Sequence, residues 1–130
     1  MLRGGNTVRI CVDGKPVGAE LPGGLGLVST AWSPDGARFV VGLREISGTR
    51  CAVAENGVER AQHDDIDAIR FAPDGRLVYA ARDEGKWALV TEKGKGERFD
   101  AVLRTAITSR GPRVACLATR DGAVWLSVQD

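Results

Sequence analysis

Apolar positions along the chain come in short runs broken by turn residues, and the runs recur. Ala31-Trp32-Ser33-Pro34-Asp35-Gly36-Ala37-Arg38-Phe39-Val40-Val41 returns as Arg70-Phe71-Ala72-Pro73-Asp74-Gly75-Arg76-Leu77-Val78-Tyr79-Ala80. A degenerate third copy reads Ile107-Thr108-Ser109-Arg110-Gly111-Pro112-Arg113-Val114-Ala115-Cys116. The turn glycines Gly36, Gly75 and Gly111 stand 39 and 36 residues apart, while Gly48, Gly85 and Gly122 repeat at 37 and 37, and Gly57 and Gly94 at 37. Independent markers that share one period define an internal repeat.

Each unit reads as β-structure. In Ser-Pro-Asp-Gly, Pro presets φ, Asp caps locally and Gly takes the left-handed conformation, so the segment is a turn. It joins a first strand (Leu27–Trp32, Ile66–Phe71, Leu103–Ile107) to a second (Arg38–Leu43, Leu77–Ala81, Arg113–Ala118). The second strands are apolar nearly throughout, which predicts burial on both faces. Third strands follow at Thr49–Ala54, Lys86–Thr91 and Ala123–Val128, and more polar outer strands at Val58–Gln62 and Glu97–Ala101. Polar residues suit an exposed edge. Helix fits poorly, apart from a weak stripe over Val58 to Ile69.

Four strands in about 37 residues, two of them buried on both sides, describe a blade of a β-propeller. A sandwich or small barrel also has many short strands, but does not require one unit repeated three times. Trp32-Ser33-Pro34-Asp35-Gly36 and Phe71-Ala72-Pro73-Asp74-Gly75, each before an apolar strand, resemble TolB-like and WD-repeat propeller blades. His63-Asp64-Asp65-Ile66 is similar to the start of a WD-repeat blade, and Gly85-Lys86-Trp87 to bacterial repeats with that opening. No Trp-Asp closes a third strand: those ends read Val53-Ala54-Glu55, Val90-Thr91-Glu92 and Val128-Gln129-Asp130. The His–Asp–Trp relay of the WD family is therefore not expected.

The expected fold is all-β: about three four-stranded antiparallel propeller-type blades, a partial or half propeller completed by oligomerisation. The 130 residues form a single repeat domain. Closing outer strands occupy 6–26, with Thr7–Val12 and Val17–Leu21 as strands. Blade 1 covers 27–65, blade 2 covers 66–102, and blade 3 covers 103–130 without its outer strand. A propeller needs about 4–8 blades, so the chain is expected to pair with itself, most simply as a dimer that closes a ring, or with the remainder of a larger propeller.

Composition narrows the chemistry. With 43% hydrophobic and 27% charged residues the chain is an ordinary globular one. A net charge of +1 supplies no field for nucleic acid or an anionic membrane, and neither is an expected partner. Cys11, Cys51 and Cys116 have no metal spacing and sit in apolar stretches, where a thiol serves as a small buried hydrophobe; a disulfide or reactive thiol is the alternative. His63 has no second imidazole and is expected in a solvated loop. No catalytic, cofactor-binding or metal-ligating residue is assigned. Unpaired thiols and the start Met1-Leu2-Arg3-Gly4-Gly5 suit the cytoplasm; the TolB resemblance leaves the periplasm as the alternative.

The leading functional expectation is a non-enzymatic scaffold that binds protein and assembles with itself. Asp64-Asp65-Ile66-Asp67 and Lys93-Gly94-Lys95-Gly96-Glu97-Arg98 are candidate contact loops, with plain solvated loop as the alternative. A second expectation is a ligand-binding or enzymatic propeller whose inner-strand Thr30, Arg70 and Thr105 line a common channel. A third is an inactive fragment or engineered repeat unit.

Overall fold

The computed structural model describes residues 7–22, 25–45, 50–107 and 114–129, and these form strands, turns and bridges with no helix among them. Strands β1 (Thr7–Val12) and β2 (Lys15–Pro22) pair as a two-stranded sheet of their own. The first large sheet has the order β3 (Leu25–Trp32), β4 (Phe39–Glu45), β5 (Cys51–Glu55), β6 (Val58–His63). The second consists of β7 (Asp65–Phe71), β8 (Leu77–Asp83), β9 (Lys86–Thr91) and β10 (Gly94–Lys95). The third has β11 (Ala101–Ile107), β12 (Val114–Arg120) and β13 (Ala123–Gln129). Neighbouring strands are antiparallel and consecutive in each sheet. Sheets of four, four and three strands match a partial propeller-blade arrangement.

The turns form for the reasons their residues imply. Ser33 Oγ donates to Asp35 Oδ1 at 2.6 Å and accepts from Arg38 N–H, while the same carboxylate oxygen accepts from Ala37 N–H. In the second copy Asp74 Oδ1 accepts from Arg76 N–H at 3.1 Å. Gly36 and Gly75 stand at φ 74° and 93°, the left-handed region. The third copy, with Gly111, falls outside the described residues, as does Gly48. Four hairpins close on two residues, both with positive φ: Asp13-Gly14, Asn56-Gly57, Glu84-Gly85 and Asp121-Gly122. That geometry matches the twist of antiparallel strands.

Each large sheet begins with a bulged strand. The register slips between Leu27 and Ser29 in β3, Asp67 and Arg70 in β7, and Val102 and Arg104 in β11. Ala68, inside the second bulge, is held at φ 55° with its N–H on Asp67 Oδ1.

Two layers of the core lie one on each face of the second sheet. Tyr79 and Ala81 of β8 pack toward the first sheet with Val40, Cys51, Val53, Ile66 and Ile69. Val78 and Ala80 point the other way and pack against Val114, Cys116 and Ala118 of the third. Two-sided burial thus holds for β8, and β4 is buried from Phe39 through Leu43. It fails for β12, where Val114, Cys116 and Ala118 are buried but Leu117 is 38% exposed. No described sheet covers that far face.

The outer strand of the second sheet also departs from expectation. In place of a strand over Glu97–Ala101, β10 spans only Gly94–Lys95, Gly96 N–H still donates to Leu89 O at 2.8 Å, residues 97–98 leave the ladder, and Phe99 rejoins by bridging Trp87. Burial decides it: Phe99 is 2% exposed and fills the layer under the third sheet, so the backbone bends to deliver it.

Candidate functional site

The joints between sheets hold most of the polar chemistry, and they are repeated. After β6, Asp64 N–H donates to Arg82 O at 2.9 Å and Asp64 Oδ2 accepts from Glu84 N–H at 3.0 Å. After the second sheet, Asp100 N–H donates to Thr119 O at 2.7 Å and Asp100 Oδ2 accepts from Asp121 N–H at 3.0 Å. The partners recur 36 and 37 residues apart, so the sequence period is also a period of inter-sheet bonding. The residue before each aspartate, His63 or Phe99, is buried.

His63 is 7% exposed at the end of β6, which corrects the expectation of a solvated loop. It is the first residue of a buried relay between sheets. Its Nδ1 meets Asp83 Oδ2 at 2.7 Å and its Nε2 meets the Tyr79 hydroxyl at 3.0 Å. A carboxylate only accepts, so Nδ1 carries a proton, and in the neutral ring Nε2 accepts from Tyr79. Lys95 Nζ also reaches Asp83 Oδ2, at 2.7 Å. Burial pushes the Asp83 carboxyl upward, but Lys95 and His63 outweigh it and hold the group below its ordinary range. Burial, with the Asp83 charge beside it, raises the Tyr79 phenol to about 12. The His–Asp pair thus forms without any Trp-Asp, with Tyr79 as third member. Sequence reading missed it because Asp83 and Tyr79 come from a different strand.

Arg38 clamps the first sheet to the second. Its Nε and Nη2 make a bidentate pair with Glu55 at 2.9 and 2.8 Å. Its Nη1 reaches Glu92 at 3.0 Å and Gly75 O at 3.1 Å, and the guanidinium lies 5.2 Å from the Phe71 ring centroid. The Glu55 hydrogen bonds raise the Arg38 pKa further and lower that of Glu55. Glu55 and Glu92 are 37 residues apart, a periodic signal that sequence reading left unused. Arg120 plays the corresponding part at the third sheet, near the Phe99 and Trp125 rings at 4.9 and 4.5 Å and paired with Glu97.

The two candidate contact loops are engaged within the chain. Asp65 pairs with Arg44 and caps Ile66 N–H, Asp67 caps Ala68, and Asp64 binds the Glu84 turn. From the basic segment, Lys95 binds Asp83, Glu97 binds Arg120, and Arg98 donates to Asp83 O.

Two of the cysteines follow expectation: Cys51 and Cys116 are each 2% exposed. Cys11 is exposed, a correction that follows from its place beside the turn of the two-stranded hairpin. Cys51 Sγ stands 3.9 Å from Asp65 Oδ1 inside the first core layer, and burial raises the Cys116 thiol, which disfavours its thiolate.

Of the proposed channel residues, Arg70 and Thr105 are brought together, with Arg70 Nη1 at 3.4 Å from Thr105 O. Thr30 is exposed on β3, outside that pair. Thr105 lines a cleft of about 230 Å³ between the second and third sheets, beside Asp67, Ala80, Trp87 and Val102. Its hydroxyl is buried without a partner among the described residues.

Beyond these joints lies the far face of the third sheet. Register puts Leu117 opposite Leu126, Ala115 opposite Val128 and Thr119 opposite Val124, all on one face. Val124, Leu126 and Val128 are 65%, 71% and 54% exposed. The chain matches no protein-family model and no curated protein.

Proposed function

We propose that the chain is a non-enzymatic scaffold, built of blades of the TolB-like and WD-repeat kind, that binds protein through sheet surface and associates with itself, most simply as a dimer. The far face of the third sheet is the observation that carries this reading. Burying a Val or Leu side chain is worth about 1.5–3 kcal/mol, and a contiguous exposed apolar patch marks an interaction surface. Groups that a catalytic site would draw on are committed elsewhere: His63 holds Asp83 and Tyr79, and Cys51 and Cys116 sit in the core layers. Sedimentation of the purified chain at micromolar concentration is expected to give a discrete oligomer. A monodisperse species of 13.8 kDa would refute self-association.

A ligand-binding reading has one observation in its favour, the unpartnered Thr105 hydroxyl at the cleft. A small molecule that survives purification and is seen by native mass spectrometry would support it.

A further inference from the structure

We infer that the cleft between the second and third sheets binds a small zwitterion with an apolar side chain, a free α-amino acid of the size of leucine or valine. This rests on the ligand-binding reading given above and names its class of ligand.

The two joints between the large sheets repeat each other, and only one of them is filled. Register puts Ile66 opposite Ala81 in the second sheet and Val102 opposite Ala118 in the third, and Ala118 lies 37 residues after Ala81. Thr105 stands opposite Cys116, which lies 37 residues after Tyr79, the residue that the bulge at Ala68-Ile69 faces. Val102 and Thr105 thus take the places of Ile66 and Ile69. At the first joint the two isoleucines fill the space so fully that a Cβ on Gly42 would stand 2.6 and 2.9 Å from their Cδ1 atoms. At the second, the smaller pair leaves a cleft of about 230 Å³, and Thr105 adds a hydroxyl that is buried with no partner among the described residues. An engineered cavity of about 150 Å³ holds benzene, so this one has room for a somewhat larger molecule. A buried polar atom left unpaired costs free energy. A ligand that meets Thr105 Oγ1 and fills the room left by the missing methyls relieves that cost and completes the packing.

Charge sets the class of ligand. Register pairs Asp67 with Ala80 and Arg70 with Val78, and both β8 residues face the third sheet, so the two charged side chains share that face. Asp67 lines the cleft with Oδ1 accepting from Ala68 N–H, and no described cation pairs with it. Arg70 extends to the Thr105 end, with Nη1 at 3.4 Å from Thr105 O, and no described carboxylate pairs with it. Arg104 borders the cleft too, but register with Leu117 directs its side chain to the other face of the third sheet. An open carboxylate and an open guanidinium beside one cleft are met together by an ammonium and a carboxylate on one molecule. Ala80, Val102 and Trp87 then receive its apolar side chain.

Titration calorimetry on the full chain tests this with L-leucine and L-valine, set against isoamylamine, which has the ammonium alone, and isocaproate, which has the carboxylate alone. The amino acids are expected to bind, and each one-charge analogue to bind about tenfold or more weakly than L-leucine. Asp67→Asn, which keeps the acceptor for Ala68 N–H, and Arg70→Gln are expected to weaken the amino acids by a similar factor. Thr105→Ile fills the cleft as Ile69 fills the first joint, and is expected to abolish binding without lowering the urea midpoint. Should that variant fail to fold, the exposed Asp67 and Arg70 positions still decide the matter. If an analogue binds as tightly as the amino acids, or if the variants bind them as wild type does, the zwitterion site is overturned while the ligand-binding reading stands. If none of the four compounds binds, the zwitterion site is overturned, and the ligand-binding reading falls with it only when native mass spectrometry of the purified chain also finds no small molecule.

Discussion

Single side chains in this molecule act by joining one sheet to the next. Tyr79 belongs to the second sheet, yet its hydroxyl is spent on His63 of the first. Replacing it with Phe leaves His63 Nε2 without its donor in a buried site, and is expected to cost about 1–3 kcal/mol in chemical denaturation. The raised phenol adds a pH signature. Its folded form keeps a proton to about 12, while the unfolded chain loses it near 10. Its contribution is complete below about pH 10 and lost as pH rises toward 12. Denaturation curves between pH 8 and 12 should therefore fall less steeply for Tyr79→Phe than for wild type. Arg38 works on the acid side. Its bidentate hold lowers the Glu55 pKa, so that stability is present above the ordinary carboxylate range and is lost as pH falls below about 4. Arg38→Lys keeps the charge but cannot hold both Glu55 oxygens and also reach Glu92. A loss of about 1–2 kcal/mol at neutral pH and a shallower acid limb in urea titrations are expected.

Strands in the middle of the molecule are shaped by what lies on both sides. Strand β8 reads as one apolar run because Val78 and Ala80 serve one core layer and Tyr79 and Ala81 the other. Strand β4 approaches β7 so closely that there is no room for a side chain at Gly42. A Cβ there would stand 2.6 Å from Ile66 Cδ1 and 2.9 Å from Ile69 Cδ1, both in residues with 5% exposure or less. Gly42→Ala is expected to destabilise by about 1–3 kcal/mol, read as a lower urea midpoint. Compensating relief should appear when Ile66→Val is added, since the shorter side chain gives up the clashing methyl. The outer strand of the second sheet obeys the same priority, because placing Phe99 in the core outranks an unbroken ladder from Gly94 onward.

At the scale of the whole molecule the stack of sheets is asymmetric. The second sheet is covered on both faces, the far face of the first is buried over β4 and β5 but exposed at Trp32, and the far face of the third is open over β13. Association through that face predicts a dimer that weakens with apolar-to-charged changes at Leu126 but not at Val58. It also predicts persistence at high salt, since the contact buries apolar surface rather than ion pairs. Light scattering from low to high sodium chloride checks this, and dissociation by salt alone would point to a charged interface elsewhere.

Sequence by itself determined the repeat, the all-β class and most strand positions, down to Thr7–Val12 and Lys86–Thr91, because turn chemistry and apolar runs are local properties of neighbouring residues. It also placed Cys51 and Cys116 in the interior, since each sits in an apolar run. It did not place His63, whose neighbours Gln62 and Asp64 are polar; burial there comes from Tyr79 and Asp83, 16 and 20 residues away. Nor did it show that β12 is covered on one side only, because an apolar run is the same whether or not a second sheet arrives to cover it. Those matters were decided by tertiary structure alone. Whether a face is buried, a carboxylate paired or an edge open depends on which elements meet across the chain, and residue spacing carries no record of that.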